Sequence, residues 1–200
     1  MRLPNLVDVL LLLGIVALGV ALAWPWVQGH RGARIEDRAS DIAHVLLQEA
    51  FQRTPIDLSD RDLHRELEEA LRAGCASLGH PQSKLPTRIE GAEEPTFETE
   101  HYLYRLTRLP EDFQAAPIQD DLPSRQPLEV YAWPKSLFPP GRTIFFYPED
   151  DAPAFTRNLA RRRYGLDRLP LPGSGRQINP PDSRGGYRSQ DDERWIPMRP

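Results

Sequence analysis

The stretch LVDVLLLLGIVALGVALAW, residues 6–24, decides the fold because it gathers the strongest hydrophobicity of the chain into one run. A helix of this length measures roughly 28 Å at about 1.5 Å per residue, which is close to the hydrocarbon thickness of a bilayer. A small soluble core cannot cover a helix that is apolar on every side. We therefore expect residues 1–28 to form a transmembrane or signal-anchor helix in contact with membrane lipid.

The outer end of this run is marked by Trp24 and Trp26, which flank Pro25, and by the polar stretch QGHRGAR at residues 28–34. Indole rings favour the headgroup level of a bilayer, so the two tryptophans are predicted to lie at the membrane interface. Two fates fit such a segment. We favour its retention as an anchor, and the alternative is removal as a secretory signal after the small residues at 21–23.

The charges that flank the span bear on its orientation. Three arginines follow it and only Arg2 precedes it; the three are Arg31, Arg34 and Arg38. Taken literally, the positive-inside rule places the C-terminal domain in the cytoplasm.

Asp8 lies inside the apolar run, where an ionised carboxylate costs about 2.5 to 3.5 kcal/mol at the centre of a span and less near its end. One explanation is that Asp8 lies close enough to the end of the helix to reach water or the amino terminus. The other is that it pairs with a cation on a neighbouring subunit.

The spacing of these residues resembles the N-terminal segment of type IV pilins and of the pseudopilins of type II secretion. Counted from Pro4, Asp8 is fifth, Pro25 twenty-second and Gln28 twenty-fifth, where that family commonly has an acid, a proline and a glutamine. Leu3 and Pro4 stand where the family has a small residue and a phenylalanine around its leader cleavage point.

The resemblance, which covers about the first fifty residues, implies a structural role. In the family, the acid pairs with the N-terminal amine of an adjacent subunit, and this role carries over to Asp8. Asp8 and Pro25 are thus the assembly residues that the resemblance implies. It also implies self-association or contact with other pilin-like subunits, and a bacterial inner-membrane protein whose soluble domain is periplasmic or extracellular.

Residues 29–168 are expected to form a soluble α+β domain. Apolar residues recur at helical spacing from Ile35 to Ala50, which predicts an amphipathic helix ending near Arg53. This helix either continues the membrane helix or forms a separate element after a flexible joint. A second helix is predicted from an N-cap at Ser59 to Gly74.

Strands are predicted at residues 97–107, 128–133 and 142–147 from their aromatic and β-branched content. They should form a small antiparallel sheet packed against the amphipathic helix, with Tyr102, Tyr104 and Leu106 sharing one face. Residues 152–165 are expected to form a short helix carrying an arginine cluster. Residues 169–200, which are rich in proline and glycine, should be an extended or disordered tail with Trp195 and Ile196 as its apolar contact.

Little in the sequence points to catalysis. A net charge of −4 without a basic patch makes nucleic acid an unlikely partner class, and Cys75 is the only cysteine. The histidines show no paired metal-ligand spacing, so we expect no cofactor and no catalytic residues. The acidic runs at 149–151 and 191–193 lack the alternating ligand spacing of a calcium loop.

The sequence therefore favours a non-enzymatic structural subunit of a membrane-derived filament or secretion apparatus. The alternative is a single-pass anchored or secreted envelope protein that acts as a binding module through its sheet or its tail.

Overall fold

The computed structural model of the protein describes residues 6–110, 113, 126–136, 141–160 and 162–198, and for residues 6–8 and 10 it describes only the backbone. The described residues have an α+β fold in which one long helix lies against an antiparallel sheet. The helices are α1, Leu6–Gln52, and α2, Arg61–Ser77, and a short 3-10 turn follows at Gln82–Lys84. The strands are β1 Thr87–Arg88, β2 Thr96–Glu98, β3 Tyr102–Arg108, β4 Leu128–Pro134, β5 Ile144–Pro148, β6 Ala154–Thr156, β7 Tyr187–Arg188 and β8 Arg194–Pro197.

The α1 helix runs without a break from the apolar segment into the amphipathic one, and Pro25 lies inside it. The continuous alternative is therefore the correct one, and α1 ends one residue before the expected Arg53. Pro25 has no N–H to donate, so the carbonyl of Ala21 lacks its usual helical bond at that turn.

The second half of α1 packs on the sheet through the predicted apolar stripe. Ala39, Ile42, Leu46 and Ala50 are all fully or almost fully buried. They meet the faces of β3, β4 and β5, where Tyr104, Ala132 and Phe145 lie side by side in register. Burial of a Leu or Ile side chain contributes about 1.5 to 3 kcal/mol, so this stripe holds the helix on the sheet.

The α2 helix begins and ends later than predicted. Its N-cap is Asp60, whose carboxylate accepts from the Asp62 N–H at 2.9 Å, whereas the Ser59 hydroxyl donates to Asp57. Gly74 does not end the helix. A Cβ there would lie 2.7 Å from Val45 Cγ1, so this glycine permits the close crossing of α1 and α2.

The predicted strands are present, but the first one is two strands. Thr99 and Tyr102 close a turn between β2 and β3, with the Thr99 N–H donating to the Tyr102 carbonyl at 2.8 Å. In β3 the alternation is as predicted: Tyr102, Tyr104 and Leu106 belong to the helix-side core, and Leu103 belongs to the core on the opposite face of the sheet.

The predicted helix at residues 152–165 is wrong. Residues 154–156 instead form β6, which pairs with β5 and β8. Asn158 follows with a φ of 55°, and its side chain accepts from the Arg163 N–H and donates to the Arg163 carbonyl, which closes a turn. The described arginines of this stretch do not form one exposed cluster, because Arg157 is mainly exposed whereas Arg163 pairs with the buried Asp191.

Of the two alternatives for the C-terminal stretch, residues 169–198 adopt the extended one. They cover the sheet face opposite α1, and β7 and β8 join the sheet at its edge beyond β6. Trp195 is 1% exposed and is the predicted apolar contact. The segment is ordered by buried polar contacts, which its low content of apolar residues did not reveal.

Candidate membrane and assembly helix

The first half of α1 projects apolar side chains in every direction. Leu11, Leu12 and Leu13 follow one another at about 100° steps around the axis, and each is about 60% exposed. No residue of the most apolar window of this helix is buried. Water is a poor solvent for such a surface, so this half requires lipid or other apolar helices around it.

By length and composition, this is the one helix among the described residues that can cross a membrane. The exposed apolar part extends from Val9 to Trp26. It therefore has the dimensions of a single-pass membrane anchor.

The predicted interface residues lie at the outer end of this surface. Trp24 and Trp26 are both largely exposed, and the ring of Trp26 meets His30 edge to face, with centroids 4.2 Å apart. The polar stretch begins two residues later, at Gln28. This order of apolar helix, exposed indoles and polar residues is typical of a membrane–water boundary.

The two predicted assembly residues lie at opposite ends of the exposed half. Asp8 lies in the first turn of the described helix, and Pro25 lies roughly 26 Å further along the axis. The side chain of Asp8 is outside the described part of the chain, so its predicted pairing stays a prediction.

The point where α1 leaves the sheet is held by Glu36, which sequence reasoning missed. Its Oε1 accepts from the backbone N–H groups of Arg142 and Thr143 at 3.1 and 3.2 Å, and its Oε2 lies 3.8 Å from the Arg157 guanidinium. One helical turn further, the Ser40 hydroxyl lies 2.6 Å from the Tyr147 hydroxyl. These contacts fix the direction in which the apolar half leaves the domain.

The three arginines after the span differ in their surroundings. Arg31 and Arg34 are exposed, whereas Arg38 is half-buried against the domain. The charge of Arg38 acts on a histidine of the domain, His101. Burial lowers the pKa of His101, and the positive charges of Lys84 and Arg38 lower it further.

The opposite face of the sheet holds a buried ionic network. Glu129 is fully buried and accepts from Arg176 Nε at 2.5 Å, from the Gly173 N–H at 2.8 Å and from the Tyr131 hydroxyl at 3.1 Å. Asp150 accepts from the other two nitrogens of the same guanidinium. These two carboxylates raise the pKa of Arg176 against the effect of burial. The network holds the C-terminal segment on the sheet.

Three of the acidic residues in the runs 149–151 and 191–193 have side-chain partners within the fold. Asp150 binds Arg176, Asp191 binds Arg163 and Ser189, and Glu193 accepts from Thr156 and from the Ala160 N–H. Within the described ranges, no three His, Cys, Asp or Glu side chains are grouped so that they could hold a metal ion.

Cys75 is fully buried between the helices and the sheet, as a small core residue. Burial raises the pKa of its thiol to about 12, so the thiolate is scarce at neutral pH.

Comparison of the chain with protein-family models, with curated proteins and with solved structures finds no match.

Proposed function

We propose that the protein is a non-enzymatic, pilin-like or pseudopilin-like subunit that self-associates through the first half of α1. In this proposal it is anchored by one span in a bacterial inner membrane, and its folded domain is periplasmic or extracellular.

The observation that carries the proposal is the division of one continuous helix into two parts. The second half of α1 is buried on the sheet, whereas the first half leaves the domain with an apolar surface on all sides. A plain anchor needs only the apolar run. The Asp8, Pro25 and Gln28 spacing adds an acid at a position where pairing with a neighbouring subunit removes its cost in the membrane.

We favour this proposal over a binding module that uses a free C-terminal tail. The last described strand is β8, Arg194–Pro197, and its Trp195 is buried in the sheet core. An arm that is already part of the sheet has to unfold before it captures a partner.

Quantitative sedimentation of the full chain from membranes tests the proposal. Asp8→Ala should reduce the assembled, sedimenting fraction by at least about tenfold, because the charge on the neighbour loses its partner. Asp8→Glu should retain assembly, since it keeps the charge. Asp62→Ala is the matched control, because it removes an exposed aspartate from the first turn of α2.

A protein that is monomeric after detergent extraction, and equally so with Asp8→Ala, would contradict the proposal. Intact mass and N-terminal sequencing add a second test. A mature chain that starts at Pro4 supports prepilin-type processing, whereas a start at Trp24 means a secreted protein without the helix.

A further inference from the structure

Two exposed arginines stand where α1 passes from its apolar half toward the domain. Arg31 and Arg34, which we name the arginine pair, follow Trp26 by five and eight residues, and both are exposed. They lie within about 60° of each other around the helix axis, because three residues turn it by about 300°. Since α1 is continuous at this point, both side chains leave one face of the same helix.

The position of the arginine pair along α1 matches the headgroup layer of a bilayer. If Trp26 marks the interface, Arg31 and Arg34 lie roughly 8 and 12 Å beyond it at about 1.5 Å per residue. The headgroup layer is about 5 to 8 Å thick on each side of the hydrocarbon. Helical side chains point toward the helix N-terminus, which here is the membrane side, and a long arginine side chain reaches back toward the interface. Both guanidinium groups can therefore meet lipid phosphates.

The domain does not neutralise the arginine pair. Among the described residues, neither arginine forms an ion pair, although Asp37 stands three positions after Arg34 on α1. Arg38 differs, because it is half-buried and lines a small cavity with His101 and Tyr104. Guanidinium groups bind phosphate through two parallel N–H donors. The pair thus keeps its charge and its donors for an anion outside the domain.

We propose that the arginine pair binds the phosphate groups of anionic phospholipids and so adds a charged contact to the apolar anchor. Lipid phosphates surround the helix at this level, and they lie on both surfaces of a membrane. The role therefore holds whichever side of the membrane the domain occupies. The inference rests on the membrane insertion of α1, which is part of the proposed function, and does not depend on self-association.

Lipid binding to the full chain in detergent tests the inference. The protein is titrated with phosphatidylglycerol or with phosphatidylcholine, and native mass spectrometry counts the bound molecules. Phosphatidylglycerol should bind more tightly, because its phosphate carries a net charge that choline offsets in phosphatidylcholine. Equal binding of the two lipids would overturn the inference. Displacement of phosphatidylglycerol by millimolar inorganic phosphate would assign the site to a free anion and would also overturn it.

Neutral variants locate the binding. Arg31→Gln or Arg34→Gln alone should weaken phosphatidylglycerol binding by about fivefold, and the two together by roughly 25-fold. Arg31→Lys combined with Arg34→Lys should retain most of the affinity, since the charge is kept.

Arg61→Gln is the matched control, because Arg61 is an exposed arginine at the first residue of α2. The other end of α2 approaches the arginine pair, since Leu78 and Arg34 line one cavity. Arg61 is thus roughly 24 Å away along the 17 residues of that helix. Its replacement should change the affinity by less than about twofold. A loss as large as that of the pair would mean unspecific attraction to the whole domain and would overturn the inference.

Sedimentation of the same variants from membranes separates this inference from the proposed self-association. Weaker phosphatidylglycerol binding with an unchanged assembled fraction supports the inference alone. Unchanged binding overturns the inference and leaves the assembly proposal standing. Unchanged binding together with a lower assembled fraction would mean that the arginine pair contacts a second copy of the chain, which overturns the lipid assignment and supports self-association.

Discussion

The first half of α1 is strongly apolar and the C-terminal segment is mostly polar, yet the apolar one lies outside the fold and the polar one is built into it. Residues 11–26 are exposed, whereas Tyr187–Arg188 and Arg194–Pro197 are strands of the sheet. The hydrophobicity of a segment indicates that the segment needs apolar surroundings. It does not indicate whether the protein's own domain or a membrane provides them. Buried ion pairs, conversely, hold a segment that composition alone describes as loose.

Removal of the Glu129 side chain should lower the unfolding free energy more than any other change proposed below. Glu129→Ala leaves Arg176 buried with one carboxylate and the Gly173 N–H without its acceptor, which should cost about 3 to 5 kcal/mol of unfolding free energy. Chemical denaturation of the full chain in detergent measures it. Glu90→Ala, at a side chain that is 90% exposed, is the control and should change stability by less than about 0.5 kcal/mol. A loss under about 1 kcal/mol for Glu129→Ala would mean that the network does not hold the segment.

A matched pair of leucines sharpens the comparison along α1. Leu46→Ala removes a fully buried side chain and should lower the unfolding free energy of the domain by about 2 to 5 kcal/mol. Leu12→Ala, in the exposed half, should lower it by less than about 0.5 kcal/mol. The same denaturation measurement serves for both, and equal losses would show that the first half of α1 packs on the domain.

Two glycines of the helices give a smaller contrast of the same kind. Gly74→Ala places a Cβ against Val45 and should destabilise the domain by roughly 1 to 2 kcal/mol, because the overpacking exceeds the gain in helix propensity. Gly14→Ala meets open space and should not destabilise it. Thermal unfolding followed by circular dichroism compares them. Val45→Ala combined with Gly74→Ala should recover part of the loss, and no recovery would place the strain elsewhere.

The smallest expected effect is a pH dependence at His80, which packs beside Asp41. Burial lowers the pKa of His80, although Asp41 at 3.6 Å partly opposes this. The unfolded state therefore binds the proton more readily than the folded state. The unfolding free energy should keep its full value above the unfolded pKa of about 6.5 and should decrease as the pH falls below it. His80→Gln should make unfolding less dependent on pH between 7 and 5, and an unchanged slope would assign the dependence to other groups.

The sequence predicted those parts of the fold whose apolar period or strand content is explicit. The stripe from Ala39 to Ala50 and the alternation in β3 fall in this class. It missed β6, because Pro153 and Asn158 end a segment whose apolar spacing resembles a short helix. The contacts of Glu36 with residues 142 and 143, and of Glu129 with residues 173 and 176, join positions more than forty apart. A single sequence carries no signal for such pairs. For the candidate site, Trp24, Pro25 and Trp26 were found because they adjoin the apolar run, whereas no local pattern marks Glu36.

A cysteine scan over residues 11–22, oxidised in native membranes, tests the central claim most directly. Assembly through the first half of α1 predicts self-crosslinks on more than one side of the helix, with yields that follow its period of about 3.6 residues and decrease with Asp8→Ala. No self-crosslink at any of these positions, with intact insertion, would show that lipid alone surrounds the helix and would contradict the account.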